Sequence, residues 1–505
     1  MKPDELRGAH VLVAGAGISG RAAAAALLRL GARVTVSDAR AEALADLPEG
    51  AVAGPEELPP DVVLVVTGPG RRPDHPLVTS ARVPVVGEPE LAWWIAQAQP
   101  MPVPWLAITG TNGKTTTVGM LESILRAAGH DAVACGNVGY PVVTAVGEGR
   151  DVLAVELSSF QLHWSPSVLP AAGCVLNVAE DHLDWHGSMA AYASAKARAL
   201  RGRVAVAGVD DPPAAALLAA SPAGRKVGVT LGEPAPGQLG IVGDALVDRA
   251  FPAVPGADGA RTDRANAAFG KSDVPNAAFA PSGATGSAPG GGVVLARVAD
   301  VHPGGPPGLT DALAAAALAR AAGVAPEHVA AGLAGFRPGA HRADLVATVA
   351  GVRYVDDSKA TNPHAAAASL AAQAPARVVW VVGGLLKGAS VDDLVAAHAG
   401  SLRAAVVIGT DRSAVVAALA RHAPDVPVVE VTGRHDGPMI PAHPAAGVME
   451  AAVRQAAALA RPGDVVLLAP AAASMDQFRD YADRGHAFAA AVAGLAATSP
   501  SEGAQ

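Results

Sequence analysis

The stretch from Ala107 to Thr117, AITGTNGKTTT, carries the clearest chemistry in the chain. A short apolar run, Trp105 to Ile108, predicts a buried strand, and Thr115 to Ala128 follows at helical period. Strand, glycine-rich turn and helix form the setting of a phosphate-binding loop, in which backbone N–H groups converge on an anion. Lys114 would sit on the β- and γ-phosphates and the Thr115 hydroxyl on Mg²⁺. Position 108, a glycine in the longer pattern, is Ile108, so the loop is the shorter GTNGKT form. The bland alternative, a Gly-rich turn that merely opens a helix, leaves the lysine and hydroxyl at the turn without a role.

Further polar residues stand where predicted strands end. Val152 to Glu156 runs into ELSSFQ, and Cys174 to Val178 into NVAEDHLD, with Lys196 downstream on a helix. Open α/β sheets place their sites at such ends. Glu156, His182 and Lys196 could therefore converge on the phosphates, a carboxylate and an imidazole holding Mg²⁺. A solvated loop is the bland reading of any one of them alone. Near the N-terminus, Gly15-Ala16-Gly17-Ile18-Ser19-Gly20 is a full GxGxxG, and Asp38 ends the next strand. This is the dinucleotide fingerprint, though its physical content is only a phosphate at a helix N-terminus and an acid near a ribose or base. Thr67-Gly68-Pro69-Gly70 could close over the same ligand. An NAD(P)-dependent dehydrogenase would use the fingerprint and leave GTNGKT unexplained.

The elements that must position these residues alternate short strands with helices, an α/β pattern over 505 residues. That length suits about three domains. Aromatics are only 3% of the chain, so small aliphatics must fill the cores. A net charge of −8 argues against nucleic-acid and membrane-surface binding. Two cysteines, Cys135 and Cys174, make no disulfide framework and suit a reducing cytoplasm. MKPDELRG lacks the apolar core of a signal peptide, and no run of apolar residues predicts a membrane span. Residues 94 to 104, with Pro100, Pro102 and Pro104, read as a linker. Residues 252–292 are rich in Ala, Gly, Pro, Ser and Asn, and read as a disordered insertion. Leu309 to Ala322 reads as an alanine-rich helix.

GTNGKT, ELSSFQL, NVAEDHLDWH, GAHR, DDSKATN, GGLLKG and APAAASMDQF stand in that order and resemble the Mur ligase family of peptidoglycan synthesis, with DSKATN pointing to its D-glutamate-adding branch. The resemblance implies three domains: a Rossmann-like UDP-binding domain over 1–102, a central P-loop ATPase-like α/β domain over 103–338, and a Rossmann-like ligase domain over 339–505. It implies ATP and two Mg²⁺ ions, with UDP-N-acetylmuramoyl-L-alanine and D-glutamate as the other substrates, in a cytoplasmic monomer. Gly17, Ile18, Ser19, Asp38, Arg40 and Gly70 would line the UDP pocket, and Asn137 would also touch that substrate. Gly110, Thr111, Asn112, Gly113, Lys114, Thr115 and Thr116, joined by His341, Arg342 and Asp357, would bind ATP. Thr115, Glu156, His182 and a carbamylated Lys196 would hold metal. Lys359, Thr361, Lys387 and Ser474 would recognise D-glutamate, beside Tyr481 where relatives carry phenylalanine. The His-Asn pair that relatives place before the Leu309 helix is here Pro307-Gly308, so adenine must be met by Asp311, by a backbone group, or less selectively.

Overall fold

The computed structural model describes residues 2–251, 288, 290–431 and 444–498. It is an α/β protein with three sheets. The first has five parallel strands in the order Val52–Ala53, Arg33–Ser37, His10–Ala14, Val62–Thr67, Val85–Gly87. His10–Ala14 is thus flanked by the strands that follow it on either side. Its C-terminal end is where the strand order reverses, the place where an open α/β sheet has its crevice.

The second sheet has nine strands, ordered Val293–Arg297, Ala245–Asp248, Gln238–Val242, Arg225–Val229, Val204–Gly208, Ala172–Val175, Trp105–Thr109, Val152–Glu156, Ala132–Gly136. The last seven of these are parallel, and an antiparallel hairpin finishes the other edge. The phosphate-loop strand Trp105–Thr109 lies between Val152–Glu156 and Ala172–Val175, with Ile108 opposite Glu156 and Thr109 opposite Val175. That register sets both predicted strand-end segments beside the loop. Helix Lys114–Ala127 packs on helices Gly305–Ala321 and Pro326–Gly335 over a core of Leu, Val, Ile and Ala. Cys135 and Cys174 are buried on separate strands of this sheet.

The third sheet runs Asp344–Val349, Val352–Asp356, Val465–Leu468, Val378–Val382, Leu402–Val407, Val428–Glu430, parallel except for its first pair. Val465–Leu468 lies between Val352–Asp356 and Val378–Val382, so three site-bearing loops leave one end of the sheet together.

The chain packs as two units, residues 1–178 with 185–337, and residues 179–184 with 338–505. The first two sheets thus share one unit, and one core holds Leu91, Ala92 and Ala96 with Trp105, Val142 and Val146. Two sequence readings need correction. Residues 94–97 are not linker, because helix Glu88–Gln97 continues through them, and Trp93 sets its ring edge-on to Trp105 at 5.1 Å. The helix expected from Leu309 begins at Gly305, with Pro306 and Pro307 in its first turn, where a missing N–H costs nothing. Residues 252–287 and 289 of the expected insertion lie outside the described residues. Its far end, Gly290 to Gly292, turns tightly into strand Val293–Arg297, with Ala288 N–H bonded to Gly292 O.

Candidate active site

The phosphate loop is held from beneath. Asn177, at the end of the neighbouring strand, accepts the backbone N–H groups of Thr111 (3.0 Å) and Asn112 (2.9 Å) on one oxygen. Those two amides are spent on loop shape. The first intrahelical bond is Thr117 N–H to Gly113 O, so the amides of Lys114, Thr115 and Thr116 precede it at the positive end of the helix. Gly113 has φ 84°, a left-handed conformation that glycine adopts at little cost. Lys114 Nζ reaches back over the loop to the carbonyls of Gly110 and Thr111, each at 2.9 Å. Asp311 of the neighbouring helix accepts from Thr117 Oγ1 and is buried.

Glu156 is buried at the end of its strand. Its Oε1 accepts from Asn137 Nδ2 at 2.7 Å, while Oε2 is enclosed with no hydrogen-bond partner. A buried carboxylate oxygen left open is costly unless a cation or donor meets it. Lys196 is also buried, its Nζ 4.5 Å from the centroid of the Tyr192 ring, and Tyr192 OH lies 3.0 Å from Thr111 Oγ1. His182 has φ 54°, its ring stands 3.4 Å from Asp181, and both belong to the second unit. Among the described residues no three His, Cys, Asp or Glu side chains gather as a ready metal cage.

In the first sheet, Asp38 accepts the N–H groups of Ala16 (2.8 Å) and Arg40 (3.0 Å). Burial alone would raise its pKa, but those donors and the Arg40 charge outweigh burial and hold the carboxyl below its usual range. An open cleft of about 810 Å³ is lined by Gly15, Asp38, Arg40, Gly70 and Arg71, among others. Gly17 and Ile18 lie at the start of the adjoining helix, and Ser19 lines a separate narrow crevice with Gln161 and Trp164. Asn137 stands on the central sheet beside Glu156.

In the third sheet, three loops are fastened together. Leu385 and Ala473 exchange backbone bonds (2.8 and 3.0 Å), which sets the Lys387 loop beside the Ser474 loop. The fully buried Arg484 donates to Ser358 Oγ, Ser358 O and Ala472 O, joining the Lys359–Thr361 loop to the same place. Burial pushes the Arg484 pKa down to about 10. Lys359 Nζ stands 3.9 Å over the Tyr481 ring. Lys387 (φ 52°), His341 (φ 65°) and Ala471 (φ 58°) all have left-handed backbone. Such strain gathers where function fixes geometry. His341 Nδ1 is 2.6 Å from Asp356, and burial pushes the neighbouring Asp357 up to about 6.

Sequence reasoning missed Asn177, Tyr192, Asp356 and Arg484. Asn177 and Asp356 had a usable signal, since each stands at the C-terminal end of a predicted strand.

Comparison with known proteins gives the family. The Mur ligase middle domain family matches residues 108–236 and the Mur ligase, glutamate ligase domain family matches residues 341–472. UDP-N-acetylmuramoylalanine–D-glutamate ligase of Nocardia farcinica is 52% identical over 507 residues, covering 97% of both chains. That of Rhodococcus jostii is 51% identical over 524 residues, covering 98% of this chain and 97% of the other. The chain belongs to the Mur ligase family. Residues 4–54 of this Mur ligase also match the alanine dehydrogenase/PNT C-terminal domain, a likeness confined to the glycine fingerprint and its flanking strands. Solved Mur ligases share the fold. MurF from Acinetobacter baumannii aligns with a TM-score of 0.57 at 18% identity, covering 93% of this chain and 91% of that one. MurF from Thermotoga maritima, solved in complex with ADP, aligns with 0.53 at 15% identity, covering 98% and 97%.

Proposed function

We propose that this Mur ligase joins D-glutamate to UDP-N-acetylmuramoyl-L-alanine with cleavage of ATP to ADP and phosphate, in cytoplasmic peptidoglycan precursor synthesis. A carboxylate is a poor acylating agent because oxide would have to leave. Phosphorylation makes an acyl phosphate, the amine attacks its carbonyl, and phosphate leaves. The protein's task is to position the reactants and offset charge.

Gly110 to Thr116 cradle the ATP phosphates, with Lys114 as the cation of the loop. His341, Arg342 and Asp357 supply the remaining ATP contacts. Thr115, Glu156 and His182 are the residues to hold Mg²⁺, and the open, buried Oε2 of Glu156 fits a cation. Two ions would supply charge neutralisation at the γ-phosphate and the incoming carboxylate. Lys196 is buried beside the phosphate loop's Tyr192 contact, and carbamylation requires its amine in the neutral form. That amine can add CO₂ with loss of a proton, and the resulting carbamate would be the anionic oxygen ligand that three-acid clusters provide elsewhere. Gly15, Asp38, Arg40 and Gly70 line the cleft for UDP, with Gly17, Ile18 and Ser19 at the adjoining helix start and Asn137 toward the sugar-peptide end. Lys359, Lys387, Thr361 and Ser474 face the two carboxylates of D-glutamate, with Tyr481 beside them.

The observation that carries this reading is the fastening of the three third-sheet loops by Arg484 and the Leu385–Ala473 bridge, in the unit whose residues 341–472 match the glutamate ligase domain. It is tested by ADP release with UDP-N-acetylmuramoyl-L-alanine and a panel of amino acids. Turnover should require D-glutamate, and equal use of L-alanine would overturn the reading.

A further inference from the structure

Aromatic residues are scarce here, with 6 Trp, 7 Phe and 4 Tyr in 505 residues. Yet Phe160, Trp164, Trp185 and Tyr192 gather with His163 and His186. The Trp185 ring lies 4.7 Å from Phe160, 5.0 Å from His163 and 4.5 Å from His186, and His186 continues to Tyr192 at 5.2 Å. His163 meets Trp164 at 4.7 Å.

The cluster looks two ways. Through Tyr192 it touches Thr111 of the phosphate loop. On the other side two indoles reach out of the central domain to the first. Trp185 Nε1–H donates to Gly70 O at 3.2 Å, and Trp164 Nε1–H donates to Arg71 O at 3.3 Å. Gly70 and Arg71 line the open cleft of the first sheet. The Trp164 carbonyl in turn accepts Gly87 N–H at 2.8 Å.

Core packing explains why the rings are buried, and any carbonyl would satisfy a buried indole N–H. It does not explain why both indoles select consecutive carbonyls of one cleft-lining loop. Nor does it explain why Trp164 follows the Glu156 segment and Trp185 the His182 segment.

We propose that Trp164 and Trp185 are positioning residues for the nucleotide-sugar substrate. Their N–H bonds fix the Gly70–Arg71 wall of the cleft to the segments that carry the catalytic carboxylate and imidazole. The site for the UDP moiety is thereby indexed to the site where the acyl group reacts. This rests on the reading of the cleft as the UDP-substrate site.

The test is the Trp164→Phe, Trp185→Phe double variant, which keeps two rings and removes both donors. Each lost neutral hydrogen bond costs about two- to tenfold in affinity. Calorimetric Kd for UDP-N-acetylmuramoyl-L-alanine should therefore rise about five- to a hundredfold, with KM for that substrate rising in step. KM for ATP and for D-glutamate should stay near wild type. A purely structural role would lower the melting temperature without that selectivity. Trp94→Phe, which loses an indole bond to Glu90 Oε1 at 3.0 Å away from the cleft, should leave Kd unchanged. Trp185→Phe alone gives the same selective effect at smaller amplitude, should the double change cost too much stability. A wild-type Kd in the double variant, or an equal rise in all three KM values, overturns the inference alone. Failure of the unmodified enzyme to bind the UDP substrate overturns the reading beneath it as well.

Discussion

Asp311 accepts a hydrogen bond from Thr117 Oγ1 at 3.1 Å, across the contact between the phosphate-loop helix and helix Gly305–Ala321. The same carboxylate oxygen stands 2.2 Å from where a side chain on Gly113 would begin. Asp311 therefore helps to set the shape of the phosphate loop.

Adenine recognition should be loose where relatives' His-Asn pair is replaced by Pro307-Gly308. Gly308 has no side chain to offer, and none fits, because a Cβ there would lie 1.8 Å from the Pro303 carbonyl oxygen. kcat/KM for ATP and GTP should differ by less than about tenfold, the equivalent of ~1.4 kcal/mol. A strong preference for ATP would mean that Asp311 or a backbone group reads the base. Gly308→Ala should destabilise the fold by about 1–3 kcal/mol, measured by denaturant unfolding.

Lys114→Ala should abolish ADP formation while calorimetry still finds wild-type binding of the UDP substrate, since the two sites stand on different sheets. Parallel loss of both would point to unfolding of the shared unit.

Lys387→Ala should raise KM for D-glutamate by roughly 10- to 150-fold, the effect of one charge-assisted contact of about 1.5–3 kcal/mol. KM for the UDP substrate should move far less. An unchanged glutamate KM would remove Lys387 from the site.

Glu88 supplies a pH signature. Its carboxyl is fully buried between the first two sheets, with Oε1 accepting Val143 N–H at 2.6 Å and Oε2 without a partner. Burial pushes its pKa up to about 7. A raised carboxyl contributes stability below its unfolded pKa and loses it as pH rises through the folded one, here between 4.5 and about 7. Glu88→Gln should flatten that dependence by an amount on the order of 3 kcal/mol, read from melting curves across the range. Identical pH profiles for both proteins would refute the assignment.

Residues 252–287 connect strands whose ends already pair, Asp248 opposite Val293. Replacing them by a short Gly/Ser linker should leave turnover and melting temperature within error, because shortening a loop changes closure entropy only logarithmically. A large drop in either would give the segment a structural or catalytic part.

Much of this was readable in the sequence because the chemistry follows strand ends. Glu156, the phosphate loop and DSKATN each stand where an apolar run stops, and an α/β sheet gathers such stops on one side. What stayed hidden are the residues that fasten loops to one another. Asn177 lies far along the chain from the amides it accepts, and Arg484 farther still from Ser358. Neither pairing leaves a periodicity or a spacing. The misread linker has a similar cause. Pro100, Pro102 and Pro104 signal the stop, but the Trp93–Trp105 contact that keeps helix Glu88–Gln97 wound up to it is a tertiary fact.

The two thiols make the central sheet self-reporting. Cys135 and Cys174 are the chain's only sulfhydryls, both at 0% exposure on strands of one sheet. Burial raises both pKa values, so neither presents a thiolate at neutral pH. An alkylating reagent should find nothing to react with until those strands part. The labelling rate of the unaltered protein then becomes a clock for sheet opening, one that needs no engineered probe. Substrates that hold the phosphate loop closed should slow it.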